Sequence, residues 1–283
     1  MRHKMLAGFV ALMVVALSAC GPSEADVQTA VAGTSAAEGG TATAEARAEL
    51  STQRAAAASA TAARAAVATE AAATEQAAAE EATRAAEQLQ VELEATEQAA
   101  AMYEVVEELH ADGYLSTTEG TYYSLPDYDR SWAQINWYQW TQTGFAPTDF
   151  VIQADAAWDT ASMTANWDRS GCGFVFREDG VSNHYLAYLG LDGYVDFIRN
   201  VNDQGAFLGR SYYGSVGKPS GNAQIMLVVE GYTFVFFVNG ERVRTQTDQG
   251  LATGNLALTM LSGINTGFGT RCTMTDIGLW VIE

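Results

Sequence analysis

The sequence predicts an all-β C-terminal head of the sandwich kind, preceded by a long alanine-rich α-helix. Three observations carry this. From about Thr43 to His110 the chain is dominated by Ala, with Glu, Gln, Thr and Arg between, and it holds no Pro or Gly. Beyond residue 113 alanine falls while aromatics, Val, Gly and Asp rise, and turn signals come at the regular intervals of a β-sandwich. Beside those turns the apolar residues alternate with period two, and no helical period of useful length appears.

The chain opens with Arg2 and Lys4 and an apolar run from Met5 to Leu17, closed by Leu17-Ser18-Ala19-Cys20. A basic start, a short apolar run and small residues at the cut make an export signal over residues 1–19. The run is too short to span a bilayer, and Gly8 interrupts it. The order Leu, Ser, Ala, Cys resembles the lipobox of bacterial lipoproteins. That resemblance implies that Cys20 becomes the first residue of the mature chain and carries diacylglycerol. The expected location is the cell envelope, lipid-anchored and facing outside the cytoplasm, with the membrane as partner through the Cys20 lipid. An ordinary secretory signal with a chance cysteine is the alternative. Residues 20–40 are rich in Gly, Ser, Ala and Thr and poor in apolar side chains, which reads as a flexible leash.

Residues 41–112 read as a helical stalk or coiled coil. Alanine has the best helix propensity, and a long uninterrupted run escapes the nucleation cost that limits short helices. Glu80 with Arg84 adds a few tenths of a kcal/mol in the favoured order of signs. Asp112-Gly113 is a natural stop. Such a helix of ~65–70 residues is ~100 Å long. The phrase Ala73 to Ala79 recurs at Ala95 to Ala101, two eleven-residue periods later, which suits a straight or slightly right-handed coil. Large apolar residues, Leu89, Leu93, Met102, Val106 and Leu109, gather late and fit one broad stripe. An alanine seam buries little at ~25 cal/mol per Å². A lone spacer and a weak self-association through 41–112 therefore stand side by side, with a disordered linker as the plainer reading.

The head, 113–283, is expected to hold strands at Phe150–Ala157, Gly173–Arg177, Tyr185–Leu189, Tyr194–Arg199, Phe207–Ser211, Gln224–Val229, Asn255–Leu261 and Cys272–Ile282. Tight hairpins are expected around Asp192-Gly193, Glu230-Gly231 and Asn239-Gly240. The last is the strongest, since both central residues of a type I′ turn need positive φ. Thr233 to Val238 is apolar on both faces, as in a central strand covered from both sides. Arg242, Arg244 and Gln246 alternate with Val243 and Thr245 as its half-exposed partner.

The run Asp149-Phe150-Val151-Ile152, Cys172 to Arg177, Asn183-His184-Tyr185-Leu186, Ile225 to Gly231, Phe236 to Gly240, Asp248 and Gly254 to Leu258 resembles the concanavalin-like jelly-roll sandwich. That group contains laminin-G-like lectin domains and the domain named for 3-keto-disaccharide hydrolases. The similarity covers roughly residues 149–283 and speaks for fold more than for activity, since its members include lectins, glucanases and surface modules. In this architecture Cys172 and Cys272, an even pair in an exported protein, fall on strands that can be neighbours, and a disulfide is expected. Such a bridge, closing about 100 residues, is worth ~4–5 kcal/mol in the chain-entropy account. Two free buried thiols are the alternative.

The chemistry is sparse. A net charge of −19 speaks against nucleic acid. Glucanases on this scaffold carry an E-x-D-x-x-E run, and none of the head's glutamates, Glu119, Glu178, Glu230, Glu241 and Glu283, begins one. His184 stands alone in the head and reads as a strand-edge residue. No Cys/His metal spacing, nucleophile elbow or phosphate loop is present, so no catalytic residue, metal ligand or cofactor is assigned. Calcium through Asp or loop carbonyls is left open without a motif. Aromatics stand out: Trp132, Trp137, Tyr138 and Trp140 precede the recognisable fold, and Trp158, Trp167, Tyr212 and Tyr213 follow. The candidate ligand-binding residues are Arg177, Arg199, Trp158, Tyr212 and Tyr213, with Arg177 over a groove or in a structural ion pair. The expected function is non-catalytic binding of an extracellular ligand, a glycan first. Glycoside or keto-sugar hydrolysis and self-associating adhesion are the alternatives.

Overall fold

The structure, a computed structural model, describes residues 42–283 apart from Val181, with side chains from Arg47 onward. The export signal, Cys20 and the leash lie outside the described residues. Helix α1 runs Ala42–Ala111, and the chain divides into two compact units between Glu80 and Glu81. In the first unit the helix is exposed throughout its described side chains. Its hydroxyls turn back onto the helix: Thr52 donates to the Ala48 carbonyl at 2.8 Å, and Thr61 to that of Ala57 at 2.9 Å. Among the described residues no helix is long and apolar enough to cross a membrane.

In the second unit two antiparallel sheets face each other. The seven-stranded back sheet runs β1 (Gly120–Leu125), β13 (Thr270–Ile282), β4 (Phe150–Thr160), β9 (Gly221–Glu230), β10 (Thr233–Val238) and β11 (Glu241–Thr247), with β2 (Tyr128–Trp132) also paired to β13. The six-stranded front sheet runs β3 (Trp137–Gln142), β12 (Asn255–Ser262), β5 (Gly171–Glu178), β6 (His184–Gly190), β7 (Tyr194–Val201) and β8 (Gln204–Tyr212). This is the expected jelly-roll sandwich behind a long helix. The first three strands were not among those expected, because 120–142 is polar and aromatic with no clean alternation. They lie at sheet edges, where only one flank needs to pair.

The core between the sheets follows the period-two pattern. Phe234, Phe236 and Val238 of β10 point into it with Ile225, Leu227 and Val229 of β9. The opposite face of the same strands explains their apolar run. Val235, Phe237, Met226 and Val228 pack against Met102, Val106 and Leu109 of α1. Those three helix positions share one face, being four and three residues apart. Burying each is worth about 1.5–3 kcal/mol. Leu89 and Leu93, expected on the same stripe, remain exposed. The last turns of α1 thus belong to the packing of the head.

The helix stops as Asp112-Gly113 suggested. Gly113 has φ +77°, and two bonds close the end: Gly113 N–H donates to the His110 carbonyl at 3.0 Å and Tyr114 N–H to that of Leu109 at 2.8 Å. This is the Schellman pairing, and Leu109 and Tyr114 both pack in the same apolar cluster.

Asn239 and Gly240 have φ of 50° and 78°, the type I′ turn expected there. Around Glu230 the centre shifts by one residue: Glu230 pairs with Thr233, which leaves Gly231-Tyr232 as the turn. A further turn of this kind joins β7 to β8 at Asn202-Asp203, with φ of 51° and 62°. Cys172 and Cys272 form a disulfide. Their strands are not neighbours in one sheet. β5 belongs to the front sheet and β13 to the back one, so the bridge ties the sheets together through the core.

Candidate functional site

The outer face of the front sheet has a floor of Val175, Leu186, Tyr188, Ala257 and Leu261. Tyr138 and Trp140 of β3 and Ile198 of β7 pack on it. Beside that floor a cleft of about 700 Å³ is lined by Asn136, Trp137, Tyr138, Trp140, His184, Asn200 and Asp203. β3 supplies three rings in four residues. Tyr138 and Trp140 share a face because they are two residues apart, and they stack at 5.6 Å with planes 29° apart. Trp137 is 55% exposed at the rim.

Opposite them stands His184, nearly fully buried at the start of β6. Its ring lies 5.0 Å from that of Trp140 and 5.7 Å from that of Tyr138. Nε2 is 2.7 Å from Tyr138 Oη and 3.0 Å from Asn200 Nδ2, and Asn200 Nδ2 donates to Tyr138 Oη at 2.9 Å. Burial pushes the Tyr138 phenol up to about 12, so it stays neutral near pH 7. Asp203 sits in the Asn202-Asp203 turn and accepts from Ser182 Oγ at 2.9 Å.

The arrangement offers flat apolar rings beside neutral amides, an imidazole and one carboxylate. Glycoside hydrolysis by acid and base requires two carboxylates about 5–10 Å apart, and among the lining residues Asp203 is the single one. No group of three or more His, Cys, Asp or Glu that would hold a metal is found among the described residues.

The residues singled out from the sequence lie elsewhere. Arg177 is not over a groove. It lies within a bulge in the β5–β12 pairing, between Val175 and Glu178, and has φ +52°, and its side chain is 1% exposed. It donates to the carbonyls of Leu251 at 3.0 Å, Thr148 at 3.3 Å and Gly231, and it lies 3.9 Å from Asp149. It is the structural clamp of the two readings. The bulge breaks the alternation that would have sent it outward.

Arg199 is held by Asp248, with Nη1 2.8 and 2.9 Å from its two oxygens. Tyr185 Oη donates to the same carboxylate at 2.5 Å and accepts the Leu251 N–H at 3.0 Å, so this network fastens the chain between β11 and β12. Trp158 is buried in the sandwich core and donates to the Gly217 carbonyl at 2.9 Å. Tyr213 packs on the same core and accepts from Asn239. Tyr212 is exposed, with its ring 4.9 Å from that of Tyr194. None of the five lines the cleft.

The cleft residues were legible in part. Trp137, Tyr138 and Trp140 stand together in the sequence, and their packing against the sandwich was the plainer reading. Asn136, Asn200 and Asp203 carried no signal beyond the paired positive-φ positions of the β7–β8 turn.

No family model matches the chain, and no curated protein matches it. Solved structures do resemble it. A carbohydrate-binding module, CBM66, from Bacillus subtilis is 14% identical with a TM-score of 0.40, covering 54% of this chain and 91% of that one. A fructosyltransferase from A. japonicus is 10% identical with a TM-score of 0.39. That match covers 58% of this chain and 26% of the enzyme, so the chain spans about a quarter of its length. A β-glucanase from Bacillus licheniformis is 12% identical with a TM-score of 0.35, covering 51% and 69%.

Proposed function

We propose that the cleft on the front sheet is a non-catalytic carbohydrate-binding site. The observation that carries this reading is the β3 segment Trp137-Tyr138-Gln139-Trp140. It sets three rings beside His184, Asn200 and Asn136 in one open cleft. Sugar rings have apolar C–H faces that rest on aromatic side chains, while their hydroxyls need donors and acceptors at the edge. An amphipathic ring with a polar tip serves both needs. The hydrolase alternative needs a second carboxylate facing Asp203, and the lining supplies none.

The sequence motif at Cys20 supports a further part of the reading: lipid on that residue holds the protein at the cell envelope, outside the cytoplasm. The alanine-rich helix is the segment that links that anchor to the head.

The test is a glycan array probed with the full chain in detergent, beside Trp137→Ala. Saturable binding of at least one glycan, weakened about tenfold or more by the substitution, is the expected result; tenfold is 1.4 kcal/mol. Binding indifferent to Trp137, Tyr138 and Trp140 would move the site elsewhere. Radioactive palmitate incorporation in the native sequence, abolished in Cys20→Ala, checks the anchor.

A further inference from the structure

Within the proposed glycan site, the charge of the lining narrows the ligand class. Asp203 is its one ionisable carboxylate, and neither Lys nor Arg is among the lining residues. Two arginines on the strands of the front sheet are engaged elsewhere. Arg199, next to Asn200, is bonded to both oxygens of Asp248. Arg177, on the strand beside β6, is buried against backbone carbonyls. The whole chain carries −19, which adds a repulsive background for an approaching anion.

Asp203 is also held in position. It occupies the second central residue of a type I′ turn with φ 62°. Its Oδ1 accepts from Ser182 Oγ, and the preceding Asn202 N–H donates to Asn183 Oδ1 at 2.9 Å. These bonds tie the turn to the loop before β6. A carboxylate fixed at the exposed rim of an aromatic cleft favours an ammonium group and disfavours another carboxylate or a sulfate, an effect that salt screens. The rings add to this, since their faces attract cations.

We infer that the cleft discriminates by charge, taking amine-bearing sugars before neutral ones and excluding acidic ones, with Asp203 as the specificity-determining residue. This inference rests on the carbohydrate-binding reading and deepens it.

The test uses three oligosaccharides of the same linkage and length: a neutral hexose oligomer, its 2-amino-2-deoxy form and its uronate form. Each is titrated calorimetrically into the full chain in detergent at about pH 5.5, where the sugar amine is protonated and the uronate ionised. The expected order of affinity is amine, neutral, acid, with at least about tenfold between the first and last. In Asp203→Asn the affinities of the amine and neutral forms converge. In Asp203→Lys the order reverses. Raising the salt to 1 M narrows the spread in the native chain, since the screening length falls to about 3 Å.

Binding of the uronate as tight as that of the neutral form overturns the inference, as does an order unmoved by Asp203→Asn. Either result leaves the glycan-binding reading standing if Trp137→Ala still weakens binding. Failure of all three sugars, together with an array that shows no glycan bound, removes the reading and the inference with it.

Discussion

Tyr138 Oη and His184 Nε2 lie 2.7 Å apart although β12 and β5 stand between their strands. Strands are spaced about 4.8 Å apart, so three steps across a flat sheet cover about 14 Å. The two side chains bridge that span by reaching toward each other over the outer face of the intervening strands, above Val175 and Ala257. That reach joins residues of β3, β6 and β7 in one cleft. Tyr138→Phe removes the hydroxyl that joins His184 and Asn200 while keeping the ring. It is expected to weaken glycan binding several-fold through loss of positioning. Trp137→Ala, by contrast, removes a contact surface and leaves the triangle intact. Calorimetric titration of both variants, with thermal unfolding as control, separates the two: Trp137→Ala is expected to leave Tm unchanged within about 2 °C, since the ring is 55% exposed.

Arg177 is a fold-stabilising residue. Replacing it with Met leaves the carbonyls of Leu251, Thr148 and Gly231 without their donor and Asp149 without its cation. Hydrogen bonds to a charged group are worth about 1.5–3 kcal/mol, and a similar loss is expected here. Urea unfolding followed by tryptophan fluorescence measures this. Arg177→Lys is expected to recover little, because one ammonium cannot match the planar fork that reaches three carbonyls. A loss below about 1 kcal/mol in Arg177→Met contradicts the clamp.

Two positions on α1 predict opposite outcomes for the same substitution. Val106→Asp puts a charge into a fully buried site against the back sheet, while Leu93→Asp changes a side chain that is 59% exposed. The first is expected to lower the stability of the head by more than about 3 kcal/mol, and the second to leave it within about 0.5 kcal/mol. Urea midpoints of the two variants test whether the last turns of α1 fold with the sandwich. Equal midpoints would detach the helix from it.

The stability of the head should fall at both ends of the pH scale. On the acid side, burial raises the Asp248 carboxyl, but bonds from Tyr185, the Gly250 N–H and Arg199 outweigh it and hold it below the ordinary range. A depressed carboxylate contributes stability above its unfolded value, near 3.9, and that stability is lost as pH drops through the folded value. Asp196 acts in the opposite sense. Burial raises it, so its ionised form costs stability at neutral pH and protonation relieves the cost. Asp248→Asn should therefore flatten the acid loss, and Asp196→Asn should steepen it.

On the alkaline side burial raises Tyr138 and Tyr185 to about 12 each, with the Asp248 bond adding to Tyr185. Their contribution is full below the unfolded value near 10 and is lost as pH rises to about 12. Thermal unfolding across pH 9–12, with absorbance at 295 nm to follow ionisation, measures this. Tyrosines that all titrate near 10 in the folded protein would refute it.

The sequence alone determined the local elements, because their causes are local. Alanine without Pro or Gly dictates the helix, Asp112-Gly113 its end, and Asn239-Gly240 a type I′ turn. Period-two runs dictate the strands from Phe150 onward, and the two-faced Thr233–Val238 announced a cover on both sides without naming it. Tertiary structure alone decided that the cover is Met102, Val106 and Leu109, and that a bulge turns Arg177 inward. It also decided that Cys172 and Cys272 join opposite sheets, and that His184 meets a strand three places away. Each of these depends on the order and register of strands paired across more than a hundred residues. No short window of sequence records pairings made over that distance.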